Sequence, residues 1–441
     1  MLDKDRARTI LSLALPIIGG MVSQNILNLV DTAMVGTLGD ASLAAVGMGG
    51  FLSFMSQALL MGLSVGVQAL AARRKGEGAE TEMALPLNGG LMVSLLCGVP
   101  LTIALWYAAP HFYPWLIDDP GVVAEGLPYY RARMLASSFV AMNFCFRGYF
   151  NGVSRSGLYM RTLVIMHICN VAISYCLIFG KLGLPELGTQ GAGIGTASAT
   201  VIGTLTYVIL AMKHARHAGF LRARPSAQTL GRLLRLSIPS AIQTLFFASG
   251  LTAQFWIIGR VGTAELAAAN VLINLMLVLI LPGIAMGIAA ASLAGQALGR
   301  KEPEEAVRWG WDVTKLAAMV LGAVGLPMIA IPRVLLSGFI HDPQTLELAV
   351  IPLQLVGAIQ IVEALGQILQ GALQGVGDTR RVMVVSILAQ WGLYLPAAYV
   401  VGPMLGYGLI GIWVCFALYR LLLAASYVKL WAGRKWLGIE F

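Results

Sequence analysis

Long apolar stretches closed by short polar ones recur along this chain from end to end. Twelve can be marked, at roughly residues 10–36, 43–72, 84–110, 128–152, 156–181, 189–212, 233–258, 266–298, 312–338, 347–375, 380–401 and 407–430. A helix of about 20 residues crosses a hydrocarbon layer of ~30 Å, and each run reaches that length. Inside lipid the backbone must satisfy its own polar groups, so runs of this kind fold as helices. The pattern predicts an all-α integral membrane protein of twelve transmembrane helices, with no soluble domain between them. The first run contains Asp31 and has no small-residue cleavage site, so it is read as a retained helix and not as a signal peptide.

The pattern is written twice. LALPII…MVGTLGDASLAAVG (13–47) lies over LSIPSA…IIGRVGTAELAAAN (236–270), pairing Pro16 with Pro239, Gly36 with Gly259 and Gly39 with Gly262 at an offset of 223 residues. GYFNGVSRSGLYM (148–160) falls on GALQGVGDTRRVM (371–383) at the same offset. With six spans per copy, both copies enter the membrane from the same side and form parallel repeats. The expected architecture is a first lobe of spans 1–6 (residues 1–212), a basic linker (213–232) and a second lobe of spans 7–12 (233–441), facing each other across a central cleft. Gly148/Gly152 and Gly371/Gly375 make GxxxG steps whose reading is close helix packing.

Composition agrees: 58% of residues are hydrophobic and 12% charged, where a soluble domain carries about 25% charged. The net charge of +9 is a matter of placement. Of 30 Lys and Arg, 21 lie at the termini or around the loops after even-numbered spans, five (Arg131, Arg133, Lys181, Arg260, Arg333) flank the odd-numbered loops, and four (Arg147, Arg161, Lys315, Arg420) lie within or just inside spans. That asymmetry follows the positive-inside rule, puts both termini in the cytoplasm and leaves no call for nucleic acid as a partner. The five cysteines all fall within spans, without a CxxC pair. His214 and His217 in the linker have no Cys or carboxylate beside them and read as part of a solvated basic loop.

Catalytic signatures are missing. There is no GxxxxGK[ST], so ATP is not the energy source; GAGIG (191–195) lacks the dinucleotide spacing; and no GxSxG, HExxH or Ser/His/Asp set occurs at one membrane depth. What remains is a small group of intramembrane polar residues. Asp31 costs ~2.5–3.5 kcal/mol at a helix centre on insertion scales, which makes it a functional hypothesis by default. Gln24, Asn28 and Asp31 form one stripe at i, i+4, i+7, while the second repeat has Phe247, Leu251 and Gln254 there. His167, Asn170 and Ser174 share a face of span 5, and Thr196 and Thr200 a face of span 6. Glu363 belongs to a second stripe on span 10 with Gln360, Gln367, Gln370 and Gln374, read as a wetted, cleft-lining surface. Asp378 and Arg380–Arg381 read as a loop ion pair and topology marker.

Together NLVDTAMVGTLG, the GYFNGVSRSG and GALQGVGDTR turns and GAGIGTASAT resemble the multidrug and toxic compound extrusion (MATE) transporters over essentially the whole chain, most closely their DinF-like bacterial branch. The resemblance implies secondary active efflux of small amphipathic cations, with H⁺ or Na⁺ as the coupling ion, no other cofactor, and a monomer among the lipids of a bacterial inner membrane. It implies that Asp31 is the coupling acid and the residue that would hold Na⁺, with Asn170, Ser174 and Thr200 as companions. Gln24, Asn28, His167, Gln360, Glu363, Gln367 and Gln370 are then expected to line the cleft. Glu363 matches an acid that some members use for Na⁺, whereas their seventh-span glutamate is Ala248 here, which tilts coupling to the first lobe. A flippase for a lipid-linked precursor, built on the same superfold, and a membrane-embedded transferase are the alternatives.

Overall fold

A computed structural model describes residues 3–439, and the described residues are all-helical. The first repeat comprises α1 (Lys4–Gly36), α2 (Asp40–Met61), α3 (Leu63–Gly76), α4 (Leu85–Leu116), α5 (Pro120–Met134), α6 (Ser137–Gly152), α7 (Ser156–Phe179) and α8 (Gly188–His214). The second comprises α9 (Ala227–Gly259), α10 (Thr263–Gly299), α11 (Pro303–Ala330), α12 (Pro332–Ser337), α13 (Pro343–Ala358), α14 (Gln360–Gly375), α15 (Thr379–Ile387), α16 (Leu395–Tyr399) and α17 (Gly408–Ala432). A π-helical stretch, Leu388–Tyr394, joins α15 to α16, and a second, Val400–Met404, extends α16, making one continuous element Thr379–Met404.

Helix ends recur at the offset read from the sequence. α1 and α9 start and stop 223 residues apart, as do the start of α2 and of α10, the ends of α3 and α10, the ends of α6 and α14, and the starts of α7 and α15. The packing recurs too. A Cβ added at Gly148 would lie 2.3 Å from the Ser64 carbonyl oxygen, and one at Gly371 would lie 2.4 Å from that of Gly287. One turn on, Gly152 meets the Gln68 carbonyl oxygen at 2.7 Å and Gly375 meets that of Ala291 at 2.3 Å. The GxxxG steps therefore bring α6 against α3 and α14 against α10 by the same backbone contacts.

Ten helices or continuous helical elements among the described residues are long and apolar enough to span a membrane, and the α13–α14 pair, bent by 53°, makes an eleventh. The twelfth expected span, 128–152, is instead the broken pair α5–α6, interrupted at Leu135–Ala136 and carrying Arg131, Arg133 and Arg147. It stands at the repeat position of the bent pair, so both repeats interrupt their fourth span at one place.

The chain divides into two compact units, one made of Pro16–Ala241 and the other of the segment up to Leu15 with Ile242–Phe441. Both divisions fall inside a helix, beside the prolines Pro16 and Pro239. Ile10, Leu13 and Ala14 are buried in the apolar core of the second unit, and Arg6 bonds Glu305 and Asp312 while stacking 3.7 Å over the Trp309 ring. The opening half of α9 instead lies on the glycine face of α2–α3, where Gly62 and Gly66 approach Ser237, Ala241 and Leu233. In place of a solvated loop, part of the linker is folded. Phe220 is 0% exposed, 6.0 Å from Phe146 in a cluster with Phe150 and Tyr207. Asn88 pins this turn, donating at 2.9 Å to the carbonyls of Gly219 and Ala223. His217 is exposed, and no group of three or more metal-ligating side chains occurs among the described residues.

Candidate functional site

In the unit formed by Pro16–Ala241, α1 and α7 meet along small residues: Gly20 touches Tyr159 and Leu163. One turn further, His167 takes Ser23 with Nδ1 and Gln24 Oε1 with Nε2, each at 3.0 Å, and Gln24 donates to Asn28 Oδ1 at 3.2 Å. Three turns beyond the His167–Gln24 contact, Val35 and Ile178 share an apolar cluster with Tyr129 and Ala192. Asp31 and Ser174 lie between these contacts, each seven residues past Gln24 and His167 respectively, so a common helical rise sets them at one depth. At that level Asn170 donates to Thr196 Oγ1 at 3.2 Å and accepts from Ser174 at 3.2 Å. Thr200 turns its hydroxyl to the Thr196 carbonyl of its own helix, at 2.8 Å.

In this unit the sequence-derived residues thus separate into hydrogen-bonded chains and one acid with an unpaired oxygen. Asn170, Ser174 and Thr196 pair with each other, and His167, Ser23, Gln24 and Asn28 form a second chain. Asp31 joins neither; its Oδ1 is buried without a hydrogen-bond partner, and it forms no salt bridge among the described residues. The charge acting on it is that of Arg133 on α5, whose guanidinium donates to the Tyr129 hydroxyl at 2.8 Å. Sequence reading counted Arg133 only as a loop flank, because charge placement alone does not reveal which way a helix-end arginine turns.

The acid of the other unit is held differently. Glu363 on α14 is 4% exposed and takes both of its oxygens to Arg420 of α17, through Nε and Nη2, while Gln367 donates to Oε2 at 3.1 Å. Gln360 is equally buried and donates to the Val356 carbonyl at 3.0 Å; with Glu363 it borders a small recess walled by Met276, Leu279, Ile280, Val356 and Ile359. Gln374 belongs to a relay in which it donates to Gln243 at 3.0 Å and Gln243 donates to Ser386 at 2.9 Å. Gln370 is half-buried on the same helix. Much of the stripe read as water-lined is therefore bonded inside the unit. Beyond α14, burial pushes the Asp378 carboxyl up from its ordinary value, opposed by Arg381 at 3.2 Å, as a loop ion pair. Arg420 was the partner that sequence reading missed: it sits 57 residues from Glu363 and belongs to no periodic pattern with it.

Comparison with known proteins follows the same outline. The MatE family model matches residues 16–176 and 239–400, one match in each repeat. A probable multidrug resistance protein NorM of Thermotoga maritima is 26% identical over 417 residues, covering 92% of this chain and 88% of its own. The multidrug resistance protein NorM of Burkholderia vietnamiensis is 28% identical over 418 residues, covering 91% and 88%. Among solved structures, an outward-facing conformation of a multidrug resistance MATE family transporter of the MOP superfamily has a TM-score of 0.89 at 21% identity, covering 99% of this chain and 97% of that one. A MATE in the straight conformation also gives 0.89 at 21% identity, with coverages of 97% and 96%. These structures share the two-lobe fold.

Proposed function

We propose that this chain, which belongs to the MATE family of multi-pass membrane transporters, exports amphipathic, mostly cationic small molecules in exchange for H⁺ or Na⁺, with Asp31 as the coupling acid. One observation carries the assignment of the acid: Asp31 presents a buried carboxylate oxygen with no protein partner, at the depth of Asn170 and Ser174. An unsatisfied buried polar atom costs about 1–3 kcal/mol, more when charged, so its retention calls for a visiting ligand. A proton or Na⁺ arriving at that oxygen supplies the missing interaction, with Asn170, Ser174 and Thr200 as its proposed companions. The NorM names of its relatives support multidrug compounds as the substrate class.

The driving forces suffice. One pH unit is worth ~1.36 kcal/mol per proton, and 100 mV is worth ~2.3 kcal/mol per charge. Loading of Asp31 from one side and release to the other, as the two lobes alternate, couples those gradients to export. The basic-residue asymmetry supports cytoplasmic termini, and the bacterial NorM relatives support a bacterial inner membrane. The flippase alternative needs a basic cleft-facing cluster for lipid phosphates, whereas the spans offer only Arg147, Arg161 and Arg420 near their ends, and Arg420 is engaged by Glu363.

Everted vesicles containing the protein, energised and loaded with a pH-sensitive dye, test the reading. Adding a cationic substrate should release protons or, if Na⁺ is the coupling ion, should release Na⁺, read in parallel with a Na⁺-sensitive dye. Absence of any substrate-induced H⁺ or Na⁺ flux would contradict exchange.

A further inference from the structure

Each repeat carries one acid deep in its spans, and the two acids are treated in opposite ways. Asp31 keeps an oxygen free, whereas Glu363 is saturated by a planar guanidinium and an amide. The repeat explains where that guanidinium comes from. α8 and α17 both open on glycine, at Gly188 and Gly408, and both carry a second glycine three residues on, at Gly191 and Gly411. Counted from those glycines, Arg420 holds the position of Thr200. The first repeat thus offers a hydroxyl where the second offers a fixed positive charge. Gln254 holds the position of Asp31, and Ala248 is fully buried, so the second repeat has no further carboxylate on α9 to balance another cation.

We propose that Arg420 is the resident cation of its unit, a specificity-determining residue that occupies Glu363 and closes this acid to mobile ions and cationic substrates. A bidentate guanidinium satisfies a carboxylate in charge and in geometry together. A Na⁺ ion reaching Glu363 would have to displace a tethered, buried partner and leave that partner's charge uncompensated. The small recess beside the pair, walled by Met276, Leu279, Ile280, Val356 and Ile359, is then lined by apolar side chains, the Gln360 amide and a neutralised acid. Coupling is confined to Asp31 in consequence, and in that respect the inference rests on the reading given above.

The test uses the purified full-length chain with Asp31→Asn throughout, so that the answer does not depend on whether Asp31 couples. Thermal unfolding midpoints are read at alkaline pH while NaCl replaces choline chloride at constant ionic strength. With Arg420 present, as with Arg420→Lys, no Na⁺-specific shift is expected. Arg420→Gln should create a saturable upward shift with Na⁺, and adding Glu363→Gln should abolish it. A folded Arg420→Gln protein that ignores Na⁺ would overturn the proposal. If Arg420→Gln does not yield folded protein, Asp31→Asn is compared with Asp31→Asn/Glu363→Gln. No Na⁺-specific difference supports a closed acid, and a saturable response only where Glu363 is present overturns it. Transport by the otherwise native chain and by Asp31→Asn, measured separately, decides the coupling reading.

Discussion

Glu363 and Arg420 pair through two hydrogen bonds and opposite charge while both are largely buried, and single substitutions should show it. Glu363→Gln leaves a buried guanidinium without its counter-charge, a loss of about 3–5 kcal/mol. We expect a lower unfolding midpoint in detergent, most of it recovered when Arg420→Gln is added. A Glu363→Gln protein as stable as the parent would mean that the pair is open to solvent. At Asp31 the expectation is reversed, because an acid lacking a hydrogen-bond partner loses little by becoming an amide. Its visibility in the sequence came from its cost in lipid, which any hydropathy profile exposes. The Glu363–Arg420 pair stayed hidden because a helix face reveals what lies on it but not what another span brings against it. The same holds for Ser23, whose bond to His167 depends on the approach of α7 at Gly20.

At the scale of elements, glycines govern how closely α3 and α6, and α10 and α14, approach. A methyl at Gly375 would collide with the Ala291 backbone at 2.3 Å, and overpacking of that kind costs about 1–3 kcal/mol. Gly47 in α2 has nothing within 4 Å, so Gly47→Ala is the control. Gly375→Ala should lower the unfolding midpoint by several degrees and Gly47→Ala should leave it in place, as read by scanning fluorimetry of purified protein. Equal effects would remove the close-packing account. These contacts were legible beforehand, since the GxxxG spacing and the repeat offset are both properties of sequence order. The breaks at Leu135–Ala136 and Ile359 were not, because a hydropathy window registers the length of an apolar run and not the direction of its axis. Phe220 was masked in the same way: the surrounding basic residues dominate the linker's composition, while the aromatic cluster that receives Phe220 comes from α6 and α8.

For the whole molecule, orientation follows from the 21-to-5 distribution of basic residues. With the native cysteines replaced, Glu80→Cys in intact cells should resist an impermeant thiol reagent and Asp118→Cys should react with it; the opposite result would invert the proposed topology. The chain also shares parts between its two compact units, since α1 and α9 each divide near a proline. The helix that carries Asp31 is therefore tied at its first turns to α11 through Arg6, Glu305, Asp312 and Trp309. Arg6→Ala should reduce exchange without abolishing substrate binding, because it loosens that tie and leaves the Asp31 region intact; loss of binding equal to the loss of exchange would argue for general misfolding.

The central claim is that the acid of the first span is retained because its charge is switched by the coupling ion. Asp31→Asn preserves size while removing that switch. The decisive measurement is counter-transport in proteoliposomes paired with substrate binding across pH and Na⁺ concentration, for the parent and for Asp31→Asn. The mutant should fold and still bind substrate, with an affinity indifferent to both ions, and should perform no uphill export. A mutant that still drives export against a gradient, or a parent whose binding responds to neither pH nor Na⁺, would contradict that claim.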